Sequence, residues 1–201
     1  MGHVVMTIVV LIHSLFLVHN LSSHGRTRRN SSFIFMSNQL LNRTETLQKI
    51  RRIAYQIYEQ NFDESSLIIA GINGEGYLFA EILVSELRQI STLEVHIAKL
   101  SFDKQAIEQP NIDIASEVDT FHNKNIVLCD DVLNTGRTLA FSLRPFLSIP
   151  LKKIQVAVIV DRNHPRYPIA ADYVGYSLST TLNEHIQVVL SDDEKIGVYL
   201  Y

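Results

Sequence analysis

"NIVLCDDVLNTGRTLAFSLRPFL", residues 125–147, sets an apolar run against two adjacent carboxylates, a glycine turn and the start of a helical pattern. The apolar run at 125–131 predicts a buried strand, and the spacing over 138–147 predicts an amphipathic helix. Between them, Gly136 permits a tight turn whose successive N–H groups, from Asn134 to Thr138, point into one concavity. The helix start adds unpaired N–H groups and a partial positive charge, so the turn suits a phosphate. Thr135 and Thr138 add hydroxyl donors. The plainer alternative is a strand-to-helix connection capped by threonine.

Asp130 and Asp131 weigh against that alternative. Adjacent carboxylates in a buried setting repel unless they are paired or face a ligand. Beyond a strand end and beside a phosphate cradle, they suit the vicinal hydroxyls of a ribose. They also suit a hydrated Mg²⁺, which keeps waters and takes only one or two carboxylates. A sugar phosphate meets both demands. An acid pair at a strand end also occurs in P-loop nucleotide hydrolases, but no "GKS" or "GKT" precedes this one.

Outward from this stretch, strands and helices alternate. Residues 44–61 place Leu47, Ile50, Ile53, Ala54, Ile57 and Tyr58 at helical spacing behind a candidate cap, Thr44. "SLIIAGI" (66–72) predicts a buried parallel strand, and "GINGEG" (71–76) a glycine-bearing loop opening a helix over 74–90. Residues 94–102 alternate as a strand, and 103–122 are polar, a loop with room for an edge strand. Further strands are predicted at 153–161, 171–178, 184–191 and 196–201. The pattern predicts an α/β domain with a mainly parallel central sheet flanked by helices. Ligands of such sheets bind beyond the carboxyl ends of the strands, so "GINGEG" and "DDVLNTGRT" (130–138) should face one crevice.

Bulk composition narrows the classes. Among 201 residues, 46% are hydrophobic, 19% are charged and the net charge is −3, which gives no overall basic field for non-specific nucleic-acid binding. The single cysteine, Cys129, excludes an intrachain disulfide and a cysteine-built metal site, and its apolar neighbours suggest a buried, inert thiol. The first 35 residues stand apart, apolar over 4–18 and basic over 24–32. The apolar run is shorter than the roughly 20 residues of a membrane span. It also lacks the positive residues that open a secretory signal, since Arg26 is the first Lys or Arg. Residues 1–35 are therefore expected to be an extension outside the fold, a weak anchor or poor signal peptide being the alternatives. The domain is expected over 36–201, in the cytoplasm, with a membrane partner disfavoured.

"IVLCDDVLNTGRTL" (126–139) resembles the ribose-phosphate-binding signature of type I phosphoribosyltransferases: four apolar residues, two acids and a "TG" turn. "IRRIAYQIYEQN" (50–61), "IIAGINGEGYLFAEIL" (68–83) and "VDRNHPRYPIAADYVG" (160–175) are similar to one branch, the bifunctional pyrimidine-operon regulator and uracil phosphoribosyltransferase. The resemblance implies a parallel-sheet fold with a small hood. It implies transfer of ribose 5-phosphate from 5-phosphoribosyl diphosphate (PRPP) to a nucleobase, uracil favoured, with release of pyrophosphate, in pyrimidine salvage.

On this chain the resemblance implies that Asp130 and Asp131 hold the ribose hydroxyls, directly or through Mg²⁺, and serve as catalytic residues. Asn134, Thr135, Gly136, Arg137 and Thr138 would wrap the 5′-phosphate, and Asn73, Gly74, Glu75 and Gly76 would form the pyrophosphate loop. Asp161 and Arg162 complete the expected substrate-binding set. Arg162, His164 and Arg166 would line the base pocket or an oligomer face, with a surface role expected for His164.

Some residues depart from the family pattern. Relatives put basic residues where this chain has Asn73 and Glu75, and the family's lid arginine is replaced at best by Lys104. Purine-handling relatives carry an acid immediately before "TG", where this chain has Asn134. That change favours a pyrimidine or no general base. The alternative function is a nucleotide-sensing, RNA-binding regulator of pyrimidine genes with weak or no transferase activity, with Arg51 and Arg52 as candidate contacts to a leader RNA. A homo-oligomer is expected by family analogy.

Overall fold

The computed structural model describes residues 38–101, 113–114, 121–181 and 183–201, which fall in one compact unit, Phe35–Tyr201. Lys104, most of the expected 103–122 loop and the whole 1–35 extension lie outside the described residues. In chain order the elements are β1 (Asn38–Leu41), α1 (Arg43–Glu59), β2 (Ser66–Ile72), α2 (Glu75–Ile90), β3 (Glu94–Ser101) and β4 (Asp113–Ile114). They continue with β5 (Asn125–Leu133), α3 (Arg137–Ser142), α4 (Arg144–Leu147), β6 (Lys153–Asp161), β7 (Tyr173–Ser177), β8 (Ile186–Val189) and β9 (Gly197–Leu200).

Six strands form the main sheet in the order β4-β3-β2-β5-β6-β7. The five strands from β3 to β7 in this order run parallel, and β4 pairs antiparallel on the edge. Every residue of β2 is buried, as expected for a strand covered on both faces. Strand alternation divides the apolar side chains between two cores. Leu67, Ile69, Val127, Ala157 and Ile159 pack with Ile53 of α1 and Leu83 of α2. Ile68, Ala70, Ile126, Leu128 and Val158 pack on the other side with Leu139 of α3 and Phe146 of α4. The hood is a separate antiparallel sheet, β1-β9-β8, whose Val188 and Val198 join the α1/α2 core. Among the described residues, no helix is long and apolar enough to cross a membrane.

Three local expectations need correction. The cap of α1 is Asn42, not Thr44: Asn42 Oδ1 accepts from the Glu45 N–H (3.0 Å) while Glu45 accepts from the Asn42 N–H (2.9 Å). This capping box is written in the sequence as "NRTE". The single helix expected over 138–147 is two short ones, α3 and α4, meeting at Leu143. Pro145 has no N–H to give to the carbonyl four residues back, so the first helix stops and Pro145 sits in the first turn of the second. β5 also runs two residues past the expected 125–131, so the acid pair is followed by Val132 and Leu133 before the strand ends.

Candidate active site

The two glycine loops meet because β2 and β5 are parallel neighbours, with Gly71 opposite Cys129. The chain leaving β2 therefore turns beside the acid pair of β5. Asn73 donates its N–H to Leu100 O (2.8 Å), and Gly74 takes a positive φ of 95° to start α2. Gly76 is buried, its backbone lying directly against Asp130. Asp130 is itself buried and Asp131 half-buried, and the Asp131 N–H donates to Asp130 Oδ1 (3.1 Å). Burial pushes the Cys129 thiol far above its ordinary range, with the Asp130 charge adding to the effect, so the thiol stays protonated.

After the acids, Asp130, Val132, Leu133 and the run from Asn134 to Leu139 line a cavity of ≈ 100 Å³. Gly136 adopts the left-handed conformation (φ 79°, ψ −2°) and is the N-cap of α3, with no side-chain cap bond. The N-cap is thus glycine, and threonine contributes only through the Thr135 hydroxyl, which accepts from the Arg137 N–H at 3.4 Å. At six residues α3 offers little macrodipole, so the cup relies on backbone N–H groups more than the sequence suggested. Arg137 stacks on Phe141, 5.2 Å to the ring centroid, and Phe141 meets Tyr167 edge to face.

The expected residues of the segment after β6 act as a brace. The Arg162 N–H donates to Leu133 O (3.0 Å), and the N–H groups of Arg166 and Tyr167 both reach Thr135 O (2.9 and 3.0 Å). The buried Arg162 guanidinium donates to Asn134 Oδ1 (2.9 Å), Thr181 O (2.7 Å) and Thr180 Oγ1. Asp161 accepts from the Asn163 N–H (2.8 Å) at the end of β6, and His164 is half-buried in the loop beyond. Glu75 is turned toward the hood, accepting from the Leu190 N–H (2.7 Å) and the Ser191 hydroxyl (2.6 Å). The structure therefore brings together Asn73, Gly74, Gly76, Asp130, Asp131 and 134–138 at one end of the sheet. It gives Glu75 and Arg162 hydrogen bonds that tie that end together.

Sequence reading overlooked Thr180, Thr181, Tyr167 and Ser191 as structural partners. Their contacts span long separations, and no local motif marks them. Among the described residues there is no group of three or more His, Cys, Asp or Glu that could hold a metal ion. The Asp130–Asp131 pair fits only a cation that completes its shell with water or ligand oxygens, as Mg²⁺ does.

Comparison with known proteins bears on the family and the fold. The family model for the phosphoribosyl transferase domain matches residues 36–195. The bifunctional protein PyrR of Latilactobacillus sakei is 33% identical over 173 residues, covering 81% of this chain and 97% of the relative. The bifunctional protein PyrR of Macrococcus caseolyticus is 33% identical over 174 residues, covering 83% and 97%. The fold matches hypoxanthine phosphoribosyltransferase of Trypanosoma cruzi at a TM-score of 0.67 with 14% identity, covering 81% of this chain and 95% of that one. A hypoxanthine phosphoribosyltransferase of Staphylococcus aureus aligns at a TM-score of 0.62 and 19% identity, over 72% and 80%. With an acid pair beside a glycine turn on a parallel strand, and matches to both sequence and fold, this chain belongs to the type I phosphoribosyltransferase domain family.

Proposed function

We propose that the protein transfers ribose 5-phosphate from PRPP to a nucleobase, with uracil as the favoured acceptor. One observation carries this reading: Asp130 and Asp131 sit near the carboxyl end of β5, with two residues between them and the Asn134–Thr138 cup, and with Asp130 against Gly76. In the reaction a ring nitrogen of the base bonds to ribose C1′ as the bond from C1′ to the diphosphate oxygen breaks. The electron pair leaves with pyrophosphate, and the nitrogen's proton passes to solvent. The acids take the ribose hydroxyls and offset positive charge developing at C1′. The cup takes the 5′-phosphate through backbone N–H groups, and Asn73–Gly76 admits the diphosphate. Mg²⁺ held by Asp130 or Asp131 would neutralise charge on the departing diphosphate. Lys104 is proposed as the lid cation.

Uracil is favoured because the residue before the turn is an amide. Asn134 is no carboxylate to take a proton from a purine, and its oxygen is engaged by Arg162. The one-third identity to bifunctional PyrR proteins over nearly their whole length supports the same choice. Residues 1–35 are proposed to be an extension to a domain spanning 36–201 that works in the cytoplasm as a homo-oligomer.

The test is to supply PRPP, Mg²⁺ and one base at a time, and to measure nucleotide and pyrophosphate. UMP from uracil is the expected product. Absence of any nucleotide with uracil, hypoxanthine, guanine, adenine or orotate overturns the proposal.

The likeness to proteins called bifunctional also supports a second reading, an RNA-binding regulator that senses pyrimidine nucleotides. Of its candidate contacts, Arg51 pairs with Glu86 (3.5 Å), and Arg52 donates to Val174 O and Gly175 O (2.6 and 2.8 Å). The check is salt-dependent binding of a pyrimidine leader RNA that changes with UMP.

A further inference from the structure

Arg162 lies at the junction of three segments that carry the site. Its guanidinium is buried, 7% exposed, and each nitrogen donates to a different residue. Nη1 reaches Asn134 Oδ1 in the phosphate turn, Nη2 reaches Thr181 O, and Nε reaches Thr180 Oγ1 on the segment that leaves β7 for the hood. Glu184 lies close by. Its carboxyl is held below the usual range by the Thr181 N–H and, more weakly, by the Arg162 charge. A buried guanidinium is costly unless it is hydrogen-bonded, and here each of its three nitrogens donates to a separate partner.

Asn134 lines the cup. The residue after it is fixed from the same side, because Thr135 O accepts two N–H groups from Arg166 and Tyr167. The turn's backbone is therefore clamped at 133 and 135 by main-chain bonds, and between them the Asn134 side chain is held by the Arg162 guanidinium. The Arg162 side chain extends that clamp to Thr180 and Thr181. A backbone cup binds phosphate only when its N–H groups converge before the ligand arrives, since reorganisation on binding lowers affinity.

We propose that Arg162 is the positioning residue of the ribose-phosphate site. It holds the Asn134–Thr138 cup in its binding shape through Asn134 and couples that shape to the segment at 180–181. The proposal rests on the reading of the cup as a 5′-phosphate site. It assigns Arg162 no contact with substrate, in place of the base-pocket role expected from sequence.

The experiment measures binding of ribose 5-phosphate by calorimetry and transferase kinetics with PRPP for wild type, Arg162→Gln, Arg162→Lys, Asn134→Ala and the Arg162→Gln/Asn134→Ala double variant. Arg162→Gln is expected to weaken ribose 5-phosphate binding on the order of tenfold and to raise KM for PRPP more than it lowers kcat. Arg162→Lys, which keeps the charge but not the fork, should recover part of the loss. Asn134→Ala should weaken binding several-fold, and the double variant should bind about as well as Arg162→Gln alone, because both changes remove one interaction. A folded Arg162→Gln with wild-type affinity overturns the proposal, as do fully additive losses in the double variant. If Arg162→Gln does not fold, Asn134→Ala decides: unchanged affinity overturns the proposal and weakened affinity supports it. Wild-type protein that binds neither ribose 5-phosphate nor PRPP refutes the phosphate-site reading itself, and the role of Arg162 falls with it.

Discussion

Gly76, in the first turn of α2, packs closely on Asp130 of β5: a Cβ placed at 76 would lie 3.0 Å from Asp130 Oδ1 and 3.1 Å from Asp130 Cα. The Cys129 carbonyl oxygen would be only 3.2 Å away. Two of these three neighbours are main-chain atoms of a central strand, which cannot move aside as the tip of a long side chain would. The first turn of α2 is therefore seated on Asp130, and this contact sets the spacing between the proposed diphosphate and ribose subsites.

Gly76→Ala should consequently do two things at once. Overpacking against β5 is expected to destabilise the fold by about 1–3 kcal/mol, seen as a lower midpoint in urea. Displacement of Asp130 should weaken PRPP binding in the fraction that stays folded. A Gly76→Ala protein with wild-type PRPP affinity would show that the two loops do not form one site.

Asp130→Asn and Asp131→Asn test the charge with little change of shape. Each is expected to reduce affinity for PRPP with Mg²⁺ by about ten- to a hundredfold, read by thermal shift or calorimetry, while far-UV circular dichroism stays native. Unchanged affinity in both variants would remove the ribose assignment.

Glu75 joins the start of α2 to the hood through the Leu190 N–H and the Ser191 hydroxyl. Glu75→Ala leaves both donors without that acceptor and should cost about 1–3 kcal/mol. The loss should be local: amide exchange at Leu190 and along β8 should accelerate well before exchange in β2 or β5. Uniform acceleration across the main sheet would contradict the tie.

Tyr173 carries a pH prediction. Burial, first of all, pushes its hydroxyl up to about 12, and the hydroxyl donates to Gln60 Oε1 (3.1 Å). In the unfolded chain it titrates near 10, so the native state holds the proton more tightly. The resulting stabilisation is fully present below about pH 10 and is lost as pH rises through about 12, up to about 2–3 kcal/mol in all. Urea midpoints taken between pH 9 and 12 should fall more steeply for wild type than for Tyr173→Phe. Parallel slopes would mean that Tyr173 ionises as easily in the fold as outside it.

Much of this protein is written locally. The all-apolar run of β2, the helical spacing of α1 and α2, and the acid pair followed by "TG" are each set by residues within a few positions, where backbone sterics and periodic burial act directly. Strand alternation with helices was enough to place both glycine loops at one end of a parallel sheet, and the family signature lay in one continuous stretch. The local record also held features that were misread: "NRTE" encodes the α1 cap, and Pro145 encodes the break between α3 and α4.

What the tertiary structure alone decided is how polar side chains spend their hydrogen bonds. Arg162 meets Asn134 from 28 positions away, and Glu75 meets Leu190 from 115. Both residues belong to segments that sequence assigned to ligand, yet both are hydrogen-bonded to other parts of the chain. Composition cannot make that distinction, because an arginine or glutamate is equally able to hold a substrate or a neighbouring strand. The choice depends on which donors and acceptors the packed sheet and hood bring within about 3 Å, and only the folded chain sets those distances.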